Sequence, residues 1–102
     1  MGIVKKTESE SVTTWFVYMI RTAGGQLYTG ITTDVQRRLD EHTSGSKGAR
    51  FLRGKGPLEL VWQCSVPDRS VASRLEYRIK QLSRKDKHRL LAGSLDVSLL
   101  LD

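Results

Sequence analysis

The chain has 102 residues, 38% of them hydrophobic and 27% charged, with a formal net charge of +6. That length supports one domain around one core, and that composition excludes a disordered chain. No run nears the roughly 20 apolar residues of a membrane span, and the single cysteine, Cys64, leaves no partner for an internal disulfide or a thiolate metal cluster.

The opening Met1-Gly2-Ile3-Val4-Lys5-Lys6 has no apolar stretch of signal-peptide length. Residues 1–13 are rich in Ser, Thr, Glu and Lys without periodicity and read as a flexible arm. A reduced, cytoplasmic setting, no membrane partner and a monomer are the defaults. The globular part is expected over 14–92, with a tail over 93–102.

Residues 15–21, Trp-Phe-Val-Tyr-Met-Ile-Arg, are apolar, aromatic and β-branched, as in a central strand buried on both faces. Ala23-Gly24-Gly25 signals a turn, and residues 26–32, Gln-Leu-Tyr-Thr-Gly-Ile-Thr, return as its partner. A loop of that length sets Tyr18 against the stretch from Tyr28 to Gly30. Gly30 inside a strand marks a bulge or the close approach of another group.

Thr33-Asp34-Val35-Gln36 fits a capping box, with Thr33 as N-cap and Gln36 reaching back. The helix it opens runs to about His42 and stops at Ser44-Gly45. Val35, Arg38, Leu39 and His42 share one face, which turns Arg38 and His42 to the sheet and Arg37 and Glu41 to water. Residues 44–57 form a Gly-rich loop crowded with Lys47, Arg50, Arg53 and Lys55, pinned by Phe51 and Leu52. These four cations are the candidate phosphate contacts, with a solvated loop as the bland alternative.

Leu58, Leu60, Trp62, Cys64 and Val66 alternate with Glu59, Val61, Gln63 and Ser65, so a third strand is expected with the first set on one apolar side. Ser70 is placed to cap a second helix whose buried stripe is Ala72, Leu75, Ile79 and Leu82, with Glu76 on its margin. Ser83 starts a third helix through about Leu91, stopped by Gly93. Residues 94–102 read either as a short docked helix or as a loose end. Further cations crowd residues 69–89, and a basic surface favours polyanions, nucleic acid above all.

The ordered set Val17-Tyr18-Met19, Tyr28-Thr29-Gly30, Arg38, Glu41-His42 and Glu76 resembles the GIY-YIG nuclease domain, in particular its small stand-alone bacterial members, over about residues 14–90. The resemblance implies an α+β fold, a three-stranded antiparallel sheet flanked by helices. It implies hydrolysis of DNA phosphodiesters, in repair or processing, with one divalent metal ion, Mg²⁺ or Mn²⁺. Carried over by position, Tyr18 and Tyr28 match the motif tyrosines, Arg38 the catalytic arginine, His42 a histidine of several members, Gly30 the motif glycine and Glu76 the metal-binding glutamate. The first motif departs by reading Val-Tyr-Met, and Ile31 stands where excision-repair members carry lysine.

The chemistry suits the transfer. Phosphodiester hydrolysis needs an activated water and neutralised phosphoryl oxygens. Glu76 is a hard oxygen ligand of the kind Mg²⁺ takes, and Arg38 can bridge phosphate oxygens. A phenol is a poor base near neutrality, so Arg38 and a metal are expected to lower its pKa. His42 is expected to accept or relay a proton. Tyr18 is the preferred base or water-orienting group and Tyr28 its partner, with those roles open to exchange. Each residue also has an ordinary role, as strand aromatic, snorkelling arginine, helix-end histidine or i,i+4 ion pair. A nucleic-acid-binding module that lost efficient catalysis is the alternative, and RNA stays open beside DNA.

Overall fold

Trp15–Arg21 forms β1, the middle strand of the sheet, because its aromatic and β-branched residues fill both faces. The computed structural model describes residues 13–45 and 47–101. The N-terminal arm expected over 1–13 lies outside them apart from Thr13. Leu27–Thr32 is β2, Val35–Ser44 is α1, Glu59–Val66 is β3, Arg69–Gln81 is α2 and Arg84–Leu91 is α3. Short 3-10 turns stand at Arg50–Leu52 and Val97–Leu100. The sheet is antiparallel with order β2-β1-β3, so the fold is the expected α+β type.

Cross-strand partners share a face, so the ladder sorts the side chains. Tyr18 pairs with Gly30 and Ile20 with Tyr28. Tyr18 and Ile20 pack with Leu52 beneath Val35 and Leu39 of α1. Val17 and Met19 face the other way, against Ala72, Leu75 and Ile79 of α2 and Leu90 of α3. The sheet thus separates a small site-bearing layer from a larger apolar one.

β3 departs from simple alternation. Met19 pairs with Trp62 but Ile20 with Leu60, so Val61 is the extra residue of a bulge. The expected single stripe therefore splits. Leu58 and Leu60 join the α1 layer, whereas Val61, Trp62 and Cys64 pack in the α2–α3 layer.

The starts of α1 and α2 fall on aspartates rather than on the expected hydroxyls. Asp34 caps α1, its Oδ1 accepting from the Arg37 backbone N–H at 3.0 Å, while its own N–H donates to Thr32 Oγ1 at 3.1 Å. Gln36 does not reach back; its Nε2 donates to Asp40 Oδ1 at 3.0 Å. Asp68, not Ser70, caps α2 by accepting from Val71 N–H at 3.0 Å. A carboxylate at this position adds its charge to the helix dipole, which a hydroxyl cannot. Ser83 caps α3 as expected.

The C-terminal segment docks. Leu95, Val97, Leu100 and Leu101 pack on the α2–α3 layer, and Arg78 Nη1 donates to the Leu100 carbonyl at 2.9 Å. Among the described residues no helix is long and apolar enough to cross a membrane.

Candidate active site

Tyr18 projects from the middle strand across Gly30. A methyl group built on Gly30 would lie 2.5 Å from Tyr18 Oη and 2.6 Å from Cζ, so any side chain there would evict the phenol. The hydroxyl therefore reaches over β2, the edge strand, instead of ending in the sheet. Tyr28, two positions earlier on β2, shares this face, with its ring centroid 6.4 Å from that of Tyr18.

His42 closes the space from α1. It is only 3% exposed, and its ring meets Tyr28 edge-on at 5.6 Å. Its Nδ1 accepts the Ala49 backbone N–H at 3.0 Å, and its Nε2 lies 2.8 Å from Tyr18 Oη. A nitrogen that accepts an amide N–H carries no proton, so the neutral ring bears its proton on Nε2. His42 thus donates to the Tyr18 oxygen. Burial first, and then the Arg38 charge, hold its pKa below the ordinary value and favour this neutral form. His42, expected to accept or relay a proton, is a hydrogen-bond donor to Tyr18 in this neutral form.

The loop that supplies the Ala49 amide lies directly on α1. A methyl group on Gly48 would fall 2.6 Å from His42 Cα and 2.9 Å from the Glu41 carbonyl oxygen, both backbone atoms that cannot yield cheaply. Gly48 and Ala49 went unremarked in the sequence because their contribution is backbone, which side-chain motifs do not display. A glycine followed by a small residue seven positions beyond a helix-face histidine was the available signal.

Arg38 stands one turn before His42. Its Nη1 donates to Glu41 Oε1 and to the Lys47 carbonyl, each at 2.8 Å. Glu41, expected in water, turns back to this guanidinium, which holds its carboxyl below the usual range. The ion pair keeps Arg38 charged and aimed, and 28% of its side chain stays open to solvent. Arg38 also favours the Tyr18 phenolate, yet burial is the larger effect. With the Tyr28 and Glu76 charges added, the Tyr18 pKa rises to about 12 without a metal, so Arg38 alone does not bring about the lowering expected of Arg38 and a metal together. Tyr18 is a protonated phenol at neutral pH, and its own O–H is left free by the His42 donor.

Glu76 projects from the margin of α2, on the other layer, but its charge acts on Tyr18. Lys80 Nζ pairs with Glu76 Oε2 at 3.3 Å, the i,i+4 contact open from the sequence. Among the described residues no cluster of three or more His, Cys, Asp or Glu gathers as a metal cage. A lone hard carboxylate suits a cation that keeps most of its waters, as Mg²⁺ does.

The loop cations divide. Lys47 contributes its carbonyl to Arg38, and Lys55 Nζ rests 3.8 Å above the Phe51 ring. Phe51 stacks on Tyr28 at 6.0 Å and is 43% exposed, so Leu52, at 2%, is the residue that pins the loop. Arg50 is exposed, and Arg53 borders a separate open cleft beside the C-terminal end of α1.

A central strand and its edge partner that deliver two tyrosines to a helix bearing arginine and histidine make the arrangement of the GIY-YIG class. The family model for the GIY-YIG catalytic domain matches residues 14–89, and the chain belongs to that family, a nuclease superfamily. The UPF0213 protein YhbQ of Escherichia coli (strain K12) is 57% identical over 90 residues, 88% of this chain and 89% of the relative. Its counterpart from Escherichia coli O157:H7 is 56% identical over 90 residues, with the same two shares covered. The solution NMR structure of the UPF0213 protein BH0048 from Bacillus halodurans superposes with a TM-score of 0.53 at 44% identity, covering 78% of this chain and 84% of that one.

Proposed function

We propose that this protein is a metal-dependent endonuclease that hydrolyses DNA phosphodiester bonds, selective for DNA structure rather than sequence. The observation that carries the reading is the Tyr18 hydroxyl, held at 2.8 Å by His42 Nε2 within electrostatic reach of Arg38 and Glu76. Arg38, aimed by Glu41 and open on its outer side, neutralises a phosphoryl oxygen. Tyr18 orients the attacking water with its free O–H. Where Tyr18 ionises, its proton passing to solvent, the His42 Nε2–H steadies the phenolate oxygen. Tyr28 lines the same face as partner or phosphate contact. A divalent cation on Glu76, when bound, supplies further charge neutralisation at the phosphate and favours the phenolate. The net charge of +6 and the loop cations draw the polyanion, and a domain this small has little surface for reading bases. A role in repair or nucleic-acid processing belongs to the same proposal.

One observation favours a second reading, a nucleic-acid-binding module with weak catalysis. A Tyr18 pKa of about 12 leaves almost no phenolate at neutral pH in the metal-free protein. The deciding experiment incubates linear, single-stranded and branched DNA with the protein in Mg²⁺, in Mn²⁺ and in EDTA, beside Glu76→Gln and Arg38→Ala. The nuclease reading expects nicking that EDTA and both substitutions abolish. Salt-sensitive binding without cleavage in either metal supports the binding module, and cleavage indifferent to both substitutions marks a contaminant.

A further inference from the structure

We infer that Phe51, Tyr28, Lys80 and Lys87 form a binding site for one unpaired nucleobase beside the reaction centre. This rests on the nucleic-acid reading above and specifies the substrate as DNA with an unpaired nucleotide next to the phosphate that is cut.

The site is a cavity of about 230 Å³ lined by Leu27, Tyr28, Thr29, Phe51, Lys80 and Lys87. It is smaller than the roughly 300–1,000 Å³ of sites that enclose a whole small molecule, so it takes one planar ring, with sugar and phosphate outside. Its wall combines flat aromatic surface with cations. Phe51 lies near-parallel to Tyr28, at 20° and 6.0 Å. Phe51 is a large apolar side chain left 43% exposed, although Leu52 beside it already anchors the loop. A ring that the core does not need is suited to a ligand with a π-face.

The cations fit the same ligand. Lys80 and Lys87 come from α2 and α3, across the β2 edge from Phe51. Lys80 also pairs with Glu76, and Tyr28 meets Tyr18, so the cavity adjoins both catalytic layers. Lys55 Nζ rests 3.8 Å over the Phe51 ring, outside the cavity lining, a cation beside the bound ring for a flanking phosphate. Bases in an intact duplex are stacked on their neighbours and cannot enter. The surface therefore selects unpaired segments.

The test is fluorescence anisotropy of a labelled oligodeoxynucleotide, single-stranded and annealed, titrated in EDTA so that nothing is cut. Wild type is compared with Phe51→Ala, Phe51→Leu, Phe51→Trp and Lys87→Ala, each checked for folding by circular dichroism. Phe51→Ala is expected to weaken single-strand binding roughly 5- to 100-fold, the range of one lost base stack, while duplex binding holds. Phe51→Leu weakens it similarly although its apolar bulk remains, and Phe51→Trp restores it. Lys87→Ala reduces the salt dependence by about one phosphate, whereas Phe51→Ala leaves that slope unchanged. A single abasic position moved along the strand weakens wild type at one place and does not weaken Phe51→Ala further there. Equal losses on single strand and duplex, or unchanged single-strand binding by Phe51→Ala, overturn the inference alone. Wild type that binds neither form overturns the nucleic-acid reading with it.

Discussion

His42 gives a hydrogen bond to Tyr18 and does not receive one. The 2.8 Å contact runs from Nε2–H to the phenol oxygen because the opposite nitrogen is occupied by the Ala49 amide. The helix histidine is therefore a polarising group for the tyrosine, and its tautomer is set by a loop backbone atom.

Replacing His42 separates this role from simple packing. His42→Ala leaves the Ala49 amide and the buried Tyr18 oxygen without their partner, at a cost of about 1–3 kcal/mol in urea unfolding. Cleavage should fall roughly 100-fold or more. His42→Gln, whose amide nitrogen can donate to Tyr18, is expected to recover part of the activity. Equal activity for the two variants would remove the donor role.

Burial of His42 beside the Arg38 charge makes the fold acid-sensitive. The His42 pKa lies below its ordinary 6.5 when folded, so the unfolded chain takes up the proton first as pH falls. Stability from His42 is complete above 6.5 and declines as pH drops below it. At the alkaline end Tyr18 acts in the opposite sense. Its pKa is raised from 10.0 to about 12, so its contribution is whole below 10.0 and disappears as pH climbs through about 12. Urea midpoints across pH should decline on both sides. Phenolate absorbance should show one tyrosine titrating near 12, absent in Tyr18→Phe.

Gly30→Ala tests the space beneath the phenol. A methyl group 2.5 Å from Tyr18 Oη must move the ring, which costs about 1–3 kcal/mol of overpacking. The displaced hydroxyl leaves its position beside His42, and a shift of about 1 Å lowers turnover on the order of 100-fold. The measurement is cleavage rate beside thermal unfolding, and activity is expected to suffer more than stability.

Arg38→Lys should not stand in for arginine. One ammonium cannot hold Glu41 and the Lys47 carbonyl and still present a planar fork to phosphate. Cleavage by Arg38→Lys is expected to fall roughly 100- to 1,000-fold, near the loss for Arg38→Ala. Recovery of wild-type rate by lysine would reduce Arg38 to a point charge.

Much of this arrangement was legible beforehand, and the exceptions have physical causes. The three strands and three helices follow from period and punctuation, and the turn length places Tyr18 against the stretch from Tyr28 to Gly30, at whose end it pairs with Gly30. The shared face of Arg38 and His42 follows from helical spacing. Three things were hidden. The caps moved to Asp34 and Asp68 because several neighbouring polar residues compete for one N-cap position. The Val61 bulge was hidden because every second residue still looked apolar. The direction of the His42 hydrogen bond was hidden because a main-chain amide decides it. Without a metal the Tyr18 pKa rises because burial outweighs one adjacent guanidinium, and burial is a sum over the whole fold.

The one-residue offset at Val61 also limits how this protein can be engineered. Straightening β3 with Val61 kept would pair Val61 with Ile20 and exchange inside for outside along one half of the strand. Leu60 would leave Ile20 and turn toward the α2–α3 layer, and Leu58 would follow. Tyr18, two residues from Ile20 on β1, would then lose the Leu58 and Leu60 packing of its own layer. A chimera between this chain and a relative should keep β3 as a single uncut block.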